Sequence, residues 1–195
     1  MINQFKITGR YYTINEYKFR DVLNIKKKTS KLLKPDVMVI MMNPGGSKPL
    51  NGDEVSGIET LAKPDKTQDQ IMRVMLNCNY EYARVLNLSD LREPKSNLLY
   101  KKIKEMESQG ISHSIFHDAR VNDLNKLWTK NVPVIFGWGV HYKLKPLALK
   151  ALIFCNISNP LGIQKTKYPW AYYHPLPPDI RKQKDWIERV NKIVS

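Results

Sequence analysis

Four residues that can make directed polar contacts stand at the ends of predicted strands. Asn43 closes the apolar run DVMVIMMN, Asn87 lies in ARVLNL, Trp138 in VPVIFGWG, and His174 follows WAYY. An amide can hold a water or pair with the edge of a base, and a histidine can donate to a leaving group. Strands that alternate with amphipathic helices bring their carboxyl ends to one edge of a sheet. We therefore expect these four residues to converge on one cleft.

Three of these residues also have a structural interpretation. Asn43 precedes Pro44 and Gly45, and asparagine commonly caps such a turn. Asn87 could be a satisfied amide that holds a loop, and His174 could lie in a surface turn before its proline. The chain lacks the GxxxxGK[ST] loop of nucleotide hydrolases and the Gly-x-Ser-x-Gly elbow of serine hydrolases. Local pattern alone favours the structural interpretation for Asn43 and His174 and leaves both interpretations open for Asn87.

The order of the predicted elements indicates an α/β fold, a three-layer sandwich with a central, mostly parallel sheet. Residues 15–35 are polar and lysine-rich and predict a helix or a surface connection. Apolar and β-branched runs predict a hairpin at 5–14 and strands at 36–43, 83–88, 132–139, 151–157 and 170–173. One helix is predicted to open at a capping box at Thr67, and two more to cover residues 99–106 and 121–128. A last helix is predicted after Asp179, with Ile187, Val190 and Val194 facing inward.

The composition fits one domain over residues 1–195 with a large basic excess. The chain has 32 basic and 18 acidic side chains, a formal net charge of +14. Lysine and arginine displace counterions from phosphates, so nucleic acid is the commonest polyanion to suit this charge, and the argument does not separate RNA from DNA. The alternative is a well-solvated protein from a lysine-rich, A/T-biased genome.

The cysteines, histidines and apolar runs bear on metals and location. Cys78 and Cys155 cannot supply a four-cysteine site and indicate a reducing compartment. His113 and His117 have helical spacing but no third ligand, so we predict no metal and no cofactor. The opening MINQFKITGR lacks the apolar core of a signal peptide, and no run approaches the roughly 20 apolar residues of a membrane span. We expect a cytoplasmic protein with no membrane partner.

Four segments together resemble the uracil-DNA glycosylase superfamily, over roughly residues 36–182. MMNPG at 41–45 is similar to the water-positioning loop G-I-N-P-G of the mismatch-specific branch, and VLN at 85–87 to the uracil-reading strand L-L-N. VIFGWG at 134–139 resembles V-x-L-L-W-G, and HPLP at 174–177 resembles the H-P-S-P loop. The chain also resembles a bacterial domain family of unknown function allied to this fold, with M-N-P near its start, V-N-L in the middle and H-P-L late.

The resemblance implies that one nucleotide is extruded into the cleft. Asn43 would orient a water toward the sugar carbon, and His174 would donate to the base oxygen as the base leaves. The implied base-binding set is Asn87, which contacts the base edge, with Pro44, Gly45 and Trp138. The candidates for contact with the phosphates of single- or double-stranded DNA are Lys48, Arg92, Lys165, Lys167 and Arg181.

The chain departs from the best-known glycosylases in its water loop. Asn43 stands where those enzymes carry an aspartate that can act as a base, and Gly45-Gly46-Ser47 offers no aromatic ring to stack on the base. We therefore expect a monomeric DNA-binding pseudoenzyme with a base-binding cleft and weak or lost excision. The alternative is an active DNA-repair enzyme, a monofunctional glycosylase that hydrolyses the N-glycosidic bond of uracil or a damaged base. A third hypothesis, from another class, is an interaction module whose basic face binds an acidic protein.

Overall fold

The structure is a computed structural model that describes residues 1–194; the side chain of Val194, predicted to face inward, lies outside the described part. The strands are β1 (Phe5–Ile14), β2 (Tyr17–Lys27), β3 (Val37–Met41), β4 (Glu59–Leu61), β5 (Tyr82–Asn87), β6 (Val134–Gly137), β7 (Gln164–Lys165) and β8 (Tyr168–Tyr172). The α-helices are α1 (Lys66–Asn77), α2 (Ser96–Ser108), α3 (Val121–Leu127), α4 (Lys145–Cys155) and α5 (Ile180–Val194). Short 3₁₀ turns occur at Ile2–Gln4, Asp118–Arg120 and Tyr142–Leu144.

Six strands form one sheet in the order β4-β1-β2-β5-β3-β6, and β7 pairs with β8 in a second, two-stranded sheet. β3 runs parallel to β5 and β6, whereas the other three pairings of the large sheet are antiparallel. The large sheet is therefore mixed, which corrects the expectation of a mostly parallel one. Helices α1 and α5 cover one face and α2, α3 and α4 the other, so the α/β sandwich is confirmed.

The antiparallel half of the sheet comes from a region whose structure the sequence pattern predicted wrongly. β1 occupies all of residues 5–14, so the short hairpin at Gly9-Arg10 does not form. The chain turns instead at Asn15, whose φ of 52° is a left-handed conformation that asparagine tolerates. β2 then replaces the expected helix or connection, because its apolar residues are buried on both faces while lysines gather at its end.

Two helix boundaries also differ from the predictions. The apolar run 151–157, predicted as a strand, is the end of α4, which carries Pro146 in its first turn; a short apolar run does not separate a buried strand from a buried helix. Helix α1 opens at Lys66 rather than at Thr67, because the carboxylate of Asp65 accepts the amide of Gln68 at 2.9 Å. The strands predicted at 36–43, 83–88, 132–139 and 170–173 are confirmed as β3, β5, β6 and β8.

The central strands are apolar on both faces because each face is covered by helices. Val39 and Met41 of β3 pack toward α1 and α5, whereas Met38 and Ile40 pack toward the other helices. Val190 of α5 is buried, as predicted, while Ile187 is partly buried. Within residues 1–194, no helix is both long and apolar enough to cross a membrane.

Candidate functional site

A cavity of about 430 Å³ opens at the carboxyl ends of β3 and β5. The start of α1 forms one wall, and the segment around His174 forms another. Its size falls in the range of small-ligand pockets, and its place is the usual ligand position in an α/β sheet. The structure brings five of the predicted site residues to this one cavity, which are Asn43, Pro44, Gly45, Asn87 and His174.

The loop after β3 fixes the orientation of the Asn43 amide. The Nδ2 group of Asn43 donates to the carbonyls of Leu91 at 3.0 Å and Glu93 at 2.8 Å. Both donors are thus used by the backbone, and the side-chain oxygen is left as an acceptor at the cavity wall. Gly45, with a φ of 58°, then turns the chain in a conformation that side chains rarely adopt. Asn43 can therefore accept a hydrogen bond from a water or a ligand.

Asn87 is the most unusual polar residue of the cavity wall. It is the last residue of β5 and is 0% exposed, yet neither Nδ2 nor Oδ1 has a hydrogen-bond partner within the described protein. A buried polar atom without a partner costs about 1–3 kcal/mol. Because Asn87 lines the cavity, a ligand there can satisfy its donor and its acceptor together.

The segment that carries His174 is held against the sheet by close packing. A Cβ at Gly137, the last residue of β6, would lie 3.1 Å from Cδ of Pro175, so a larger residue there would force one of the two segments to shift by a few tenths of an ångström. Gln70 of α1 donates to the Pro175 carbonyl at 3.2 Å, and Trp186 of α5 donates to the Tyr173 carbonyl at 2.9 Å. Residues distant in sequence therefore place the histidine at the cavity.

The environment of His174 fixes its protonation. Burial lowers its pKa from 6.5 to about 4, so the ring is neutral at pH 7. The amide of Leu176 donates to Nδ1 at 3.1 Å, which makes Nδ1 an acceptor and puts the proton on Nε2. His174 is therefore a neutral hydrogen-bond donor through Nε2, the form that can contact a carbonyl oxygen.

Two further residues of the cavity wall escaped the sequence analysis. Arg20 and Gln68 are 3% and 4% exposed, and Nε of Arg20 and Oε1 of Gln68 have no partner within residues 1–194. Gln68 donates to Asp65 at 2.9 Å, which orients its amide. Arg20 lies in the segment predicted as a helix or a connection, so no sequence signal placed it beside Asn87. Gln68 was interpreted only as part of a helix cap.

Trp138, predicted to bind the base, is not brought to the cavity. It is 0% exposed, and its indole N–H donates to the carbonyl of Trp170 at 2.9 Å. Its ring packs against Phe136 and Tyr172 on the face of the sheet opposite to α1. The structure therefore gives Trp138 a place in the core, where it has no access to a ligand.

The five residues predicted to contact phosphate differ in whether their side chains are exposed or already bonded within the protein. Lys48 and Lys167 are exposed, and Lys165 lies over the ring of Tyr168. Arg181 is exposed and pairs with Asp179 at 3.3 Å. Arg92 is different, because its side chain is 5% exposed and binds Glu54 and the Ser47 carbonyl, which holds the loop after Gly46. Arg92 is therefore engaged within the protein, and its contact with phosphate stays a prediction.

Other basic side chains lie closer to the cavity. Lys66, exposed at the start of α1, lines it directly. A second cavity of about 490 Å³ shares His174 and Leu176 with the first and is lined by Lys182 and Arg189 of α5. Lys66 and Lys182 place positive charge on two sides of the opening, which attracts a polyanion, whereas Arg189 pairs with Asp185 at 3.6 Å. The sequence did not single out these three residues, because exposed lysines and arginines occur throughout the chain.

The fold and the site together define an α/β protein with a polar, ligand-sized cavity at the ends of its parallel strands. The chain belongs to the family described as "Protein of unknown function (DUF1643)", which it matches over residues 24–176. That match contains Asn43, Asn87 and His174. No curated protein and no solved structure matches the chain at a significant level.

Proposed function

We propose that the chain is a monomeric DNA-binding protein, a single domain over residues 1–195 with a uracil-DNA glycosylase-like fold, whose cleft accepts one base and has weak or no excision activity. The observation that carries the proposal is Asn87, a residue of the cavity wall whose buried donor and acceptor have no partner among the described residues. A base edge presents complementary donors and acceptors at this spacing. The resemblance of the four strand-end segments to that superfamily supports the same use of Asn87.

The energetics of Asn87 favour a ligand over a structural role. A structural amide is stabilised by hydrogen bonds to the protein, as Asn24 is by its bonds with Glu59 at 2.8 Å and Arg84 at 2.9 Å. Asn87 has no such bonds within the described chain, so its donor and its acceptor are available to a molecule in the cavity. A base bound there would form both hydrogen bonds.

The charge of the chain supports DNA as the carrier of that base. The formal net charge is +14, and Lys66, Lys182 and Arg189 flank the opening. Positive side chains around a cleft hold phosphates while one nucleotide is turned out of the stack. The extruded base would enter between the loop after β3 and His174.

The orientations of Asn43 and His174 favour an active glycosylase as a second candidate. Oδ1 of Asn43 would orient a water whose oxygen bonds to the sugar carbon as the carbon–nitrogen bond breaks. The electron pair leaves with the base, and Nε2–H of His174 would stabilise the resulting oxygen anion. The proton of the water needs an acceptor, and an amide is not a base. Asp65 lines the cavity, but both its oxygens accept from Gln68. The binding protein therefore remains the first proposal.

The test is a parallel binding and excision assay on uracil-containing single- and double-stranded oligonucleotides. Binding in a gel shift at about 0.15 M salt, without abasic sites after alkaline treatment, is the expected result. No binding at this salt, with an acidic protein that co-purifies instead, would contradict DNA binding and favour the interaction module.

Asn43→Ala separates the two candidate functions. If abasic sites form with the wild-type protein, they should disappear in Asn43→Ala while DNA affinity stays nearly unchanged, because only the water loses its partner. The readout is alkaline cleavage measured beside the gel shift. Excision that persists in the variant would eliminate the role assigned to Asn43.

A further inference from the structure

Arg20 is a buried cation that forms no direct ion pair within the part of the chain that the structure describes. Its residue is 3% exposed, its Nε has no partner, and no ion pair of the described chain includes it. The other arginines held against the sheet differ. Arg84 bonds to Asn24, a backbone carbonyl and Tyr82, and Arg120 bonds to two aspartates. An unpaired buried charge is costly, so we expect the partner of Arg20 to be a bound ligand rather than another side chain.

The acidic side chains nearest to Arg20 are already engaged. Asp65 caps α1 and accepts two hydrogen bonds from Gln68, and Asp90 pairs with Arg120. Burial lowers the pKa of Arg20, Asp65 and Asp90 oppose this effect, and the neighbouring Arg92 adds to it. The guanidinium is therefore almost fully buried, at the wall of the cavity, with no direct carboxylate contact within the described chain.

The position of Arg20 restricts which anion can reach it. Leu23 of β2 lies opposite Val85 of β5, and Arg20 and Asn87 lie beyond that pair on the face that lines the cavity. Both residues are almost fully buried, so they form the inner wall. A backbone phosphodiester continues in two directions and lies along a surface. A group at the inner wall must be the end of a molecule or a substituent of a base.

We propose that Arg20 binds a terminal anionic oxygen group of the ligand, so that the cleft prefers a negatively charged base or nucleotide over its neutral counterpart. This rests on the proposed function, that the cleft accepts a base, and adds the chemical class of what enters it. A guanidinium has only donors, so it pairs with oxygen anions and carbonyls and leaves amino groups unpaired. Oε1 of Gln68 and the amide of Asn87 would receive the N–H and carbonyl groups of the same ring.

The anionic group has two possible sources, a phosphomonoester or a substituent on the base. Isothermal titration calorimetry with the whole wild-type protein distinguishes them with two pairs of probes. One pair is 2′-deoxyuridine and its 5′-monophosphate, and the other is uracil and 5-carboxyuracil. The anionic member of one pair should bind at least about tenfold more tightly, since a charge-assisted hydrogen bond contributes about 1.5–3 kcal/mol. The pair that shows the difference identifies the source.

Variants assign the preference to Arg20. Arg20→Met should reduce the ratio of charged to neutral affinity to about one, and Arg20→Lys should retain part of it. Lys63→Met is the matched control, because it removes one exposed positive charge near the loop after β3, whose Lys48 carbonyl accepts the Lys63 amide. This control should keep the full preference.

The wild-type comparison decides the proposal even if Arg20→Met does not fold. Equal affinities within both pairs, or no binding by any of the four probes, would overturn it. A preference that persists in folded Arg20→Met would also overturn it. DNA binding is measured separately on oligonucleotides. DNA affinity without a preference for the anionic probe would contradict this inference alone. A preference for the anionic probe without DNA affinity would contradict only the proposed DNA binding.

Discussion

Two groups of buried and partly buried polar residues lie on either side of β2, and they differ in whether the protein satisfies them. The paired cluster comprises Arg10, Asp21, Asp90 and Arg120. Arg10 bonds to Asp21 at 3.0 and 2.6 Å, and Arg120 bonds to Asp21 and Asp90. The unpaired cluster comprises Arg20, Gln68 and Asn87 of the cavity. Nε of Arg20, Oε1 of Gln68 and both amide atoms of Asn87 have no partner within residues 1–194.

This difference indicates a structural role for the paired cluster and a ligand-binding role for the unpaired cluster. The paired cluster joins β1, β2 and the turn before α3 by ion pairs, and one oxygen, Oδ1 of Asp90, lacks a partner among its described neighbours. Such a cluster fixes the arrangement of strands. The unpaired cluster forms no ion pair among the described residues, and its one side-chain hydrogen bond, from Gln68 to Asp65, lies within the start of α1. Because its side chains line a cavity, a ligand bound there can satisfy them.

The largest expected effect comes from the paired cluster. Arg120→Met leaves Asp21 and Asp90 buried with fewer partners, and we expect the free energy of unfolding to fall by about 3–5 kcal/mol. Urea denaturation followed by far-UV circular dichroism measures this change. A loss below about 1 kcal/mol, the level of an exposed ion pair, would show that the cluster is solvated and that the contrast with the cavity is wrong.

Arg20→Met should change the free energy of unfolding in the opposite direction. This substitution removes a buried charge that no ion pair compensates, so the free energy of unfolding should rise by about 1–3 kcal/mol. The same urea titration supplies the measurement. A fall similar to that of Arg120→Met would mean that Arg20 is held by the protein, which would remove it from the unpaired cluster.

A smaller effect is expected from the titration of His174. Its pKa is about 4 in the folded protein and near 6.5 when exposed, so the unfolded chain binds more protons between these values. The free energy of unfolding should therefore fall as the pH drops from about 6.5 to about 4, and less steeply in His174→Gln. NMR titration of the ring should give a midpoint near 4 with the proton on Nε2. A midpoint near 6.5 would contradict a buried, neutral donor.

The parallel half of the sheet and its site residues could be predicted because they depend on local pattern. Apolar runs that end in a polar residue identified β3 and β5, and the ends of parallel strands meet at one edge. That reasoning predicts Asn43, Asn87 and His174 at one cleft, and all three line the cavity. It also placed Trp138 there, although an indole is large and apolar enough to be drawn into the core.

The other half of the site could not be predicted, because it depends on contacts between distant residues. Arg20 reaches the cavity only because β2 pairs antiparallel with β5, and the lysines of residues 15–35 concealed that strand. Arg92 appeared to be a free cation, yet Glu54 lies close enough in space to bind it. Composition gives the number of charges, and only the packed chain shows which of them are paired.

The central claim is that the unpaired amide of Asn87 binds a base. Its most direct test compares the affinity of a uracil-containing single-stranded oligonucleotide for wild type, Asn87→Ala and Asn24→Ala. Asn24 is the control because its amide is equally buried but bonded within the protein. We predict that Asn87→Ala weakens binding by about 10- to 100-fold with little change in stability, since a bidentate base contact contributes about 1–3 kcal/mol. Asn24→Ala should lower stability and leave affinity unchanged. Equal affinities of wild type and Asn87→Ala would contradict the claim.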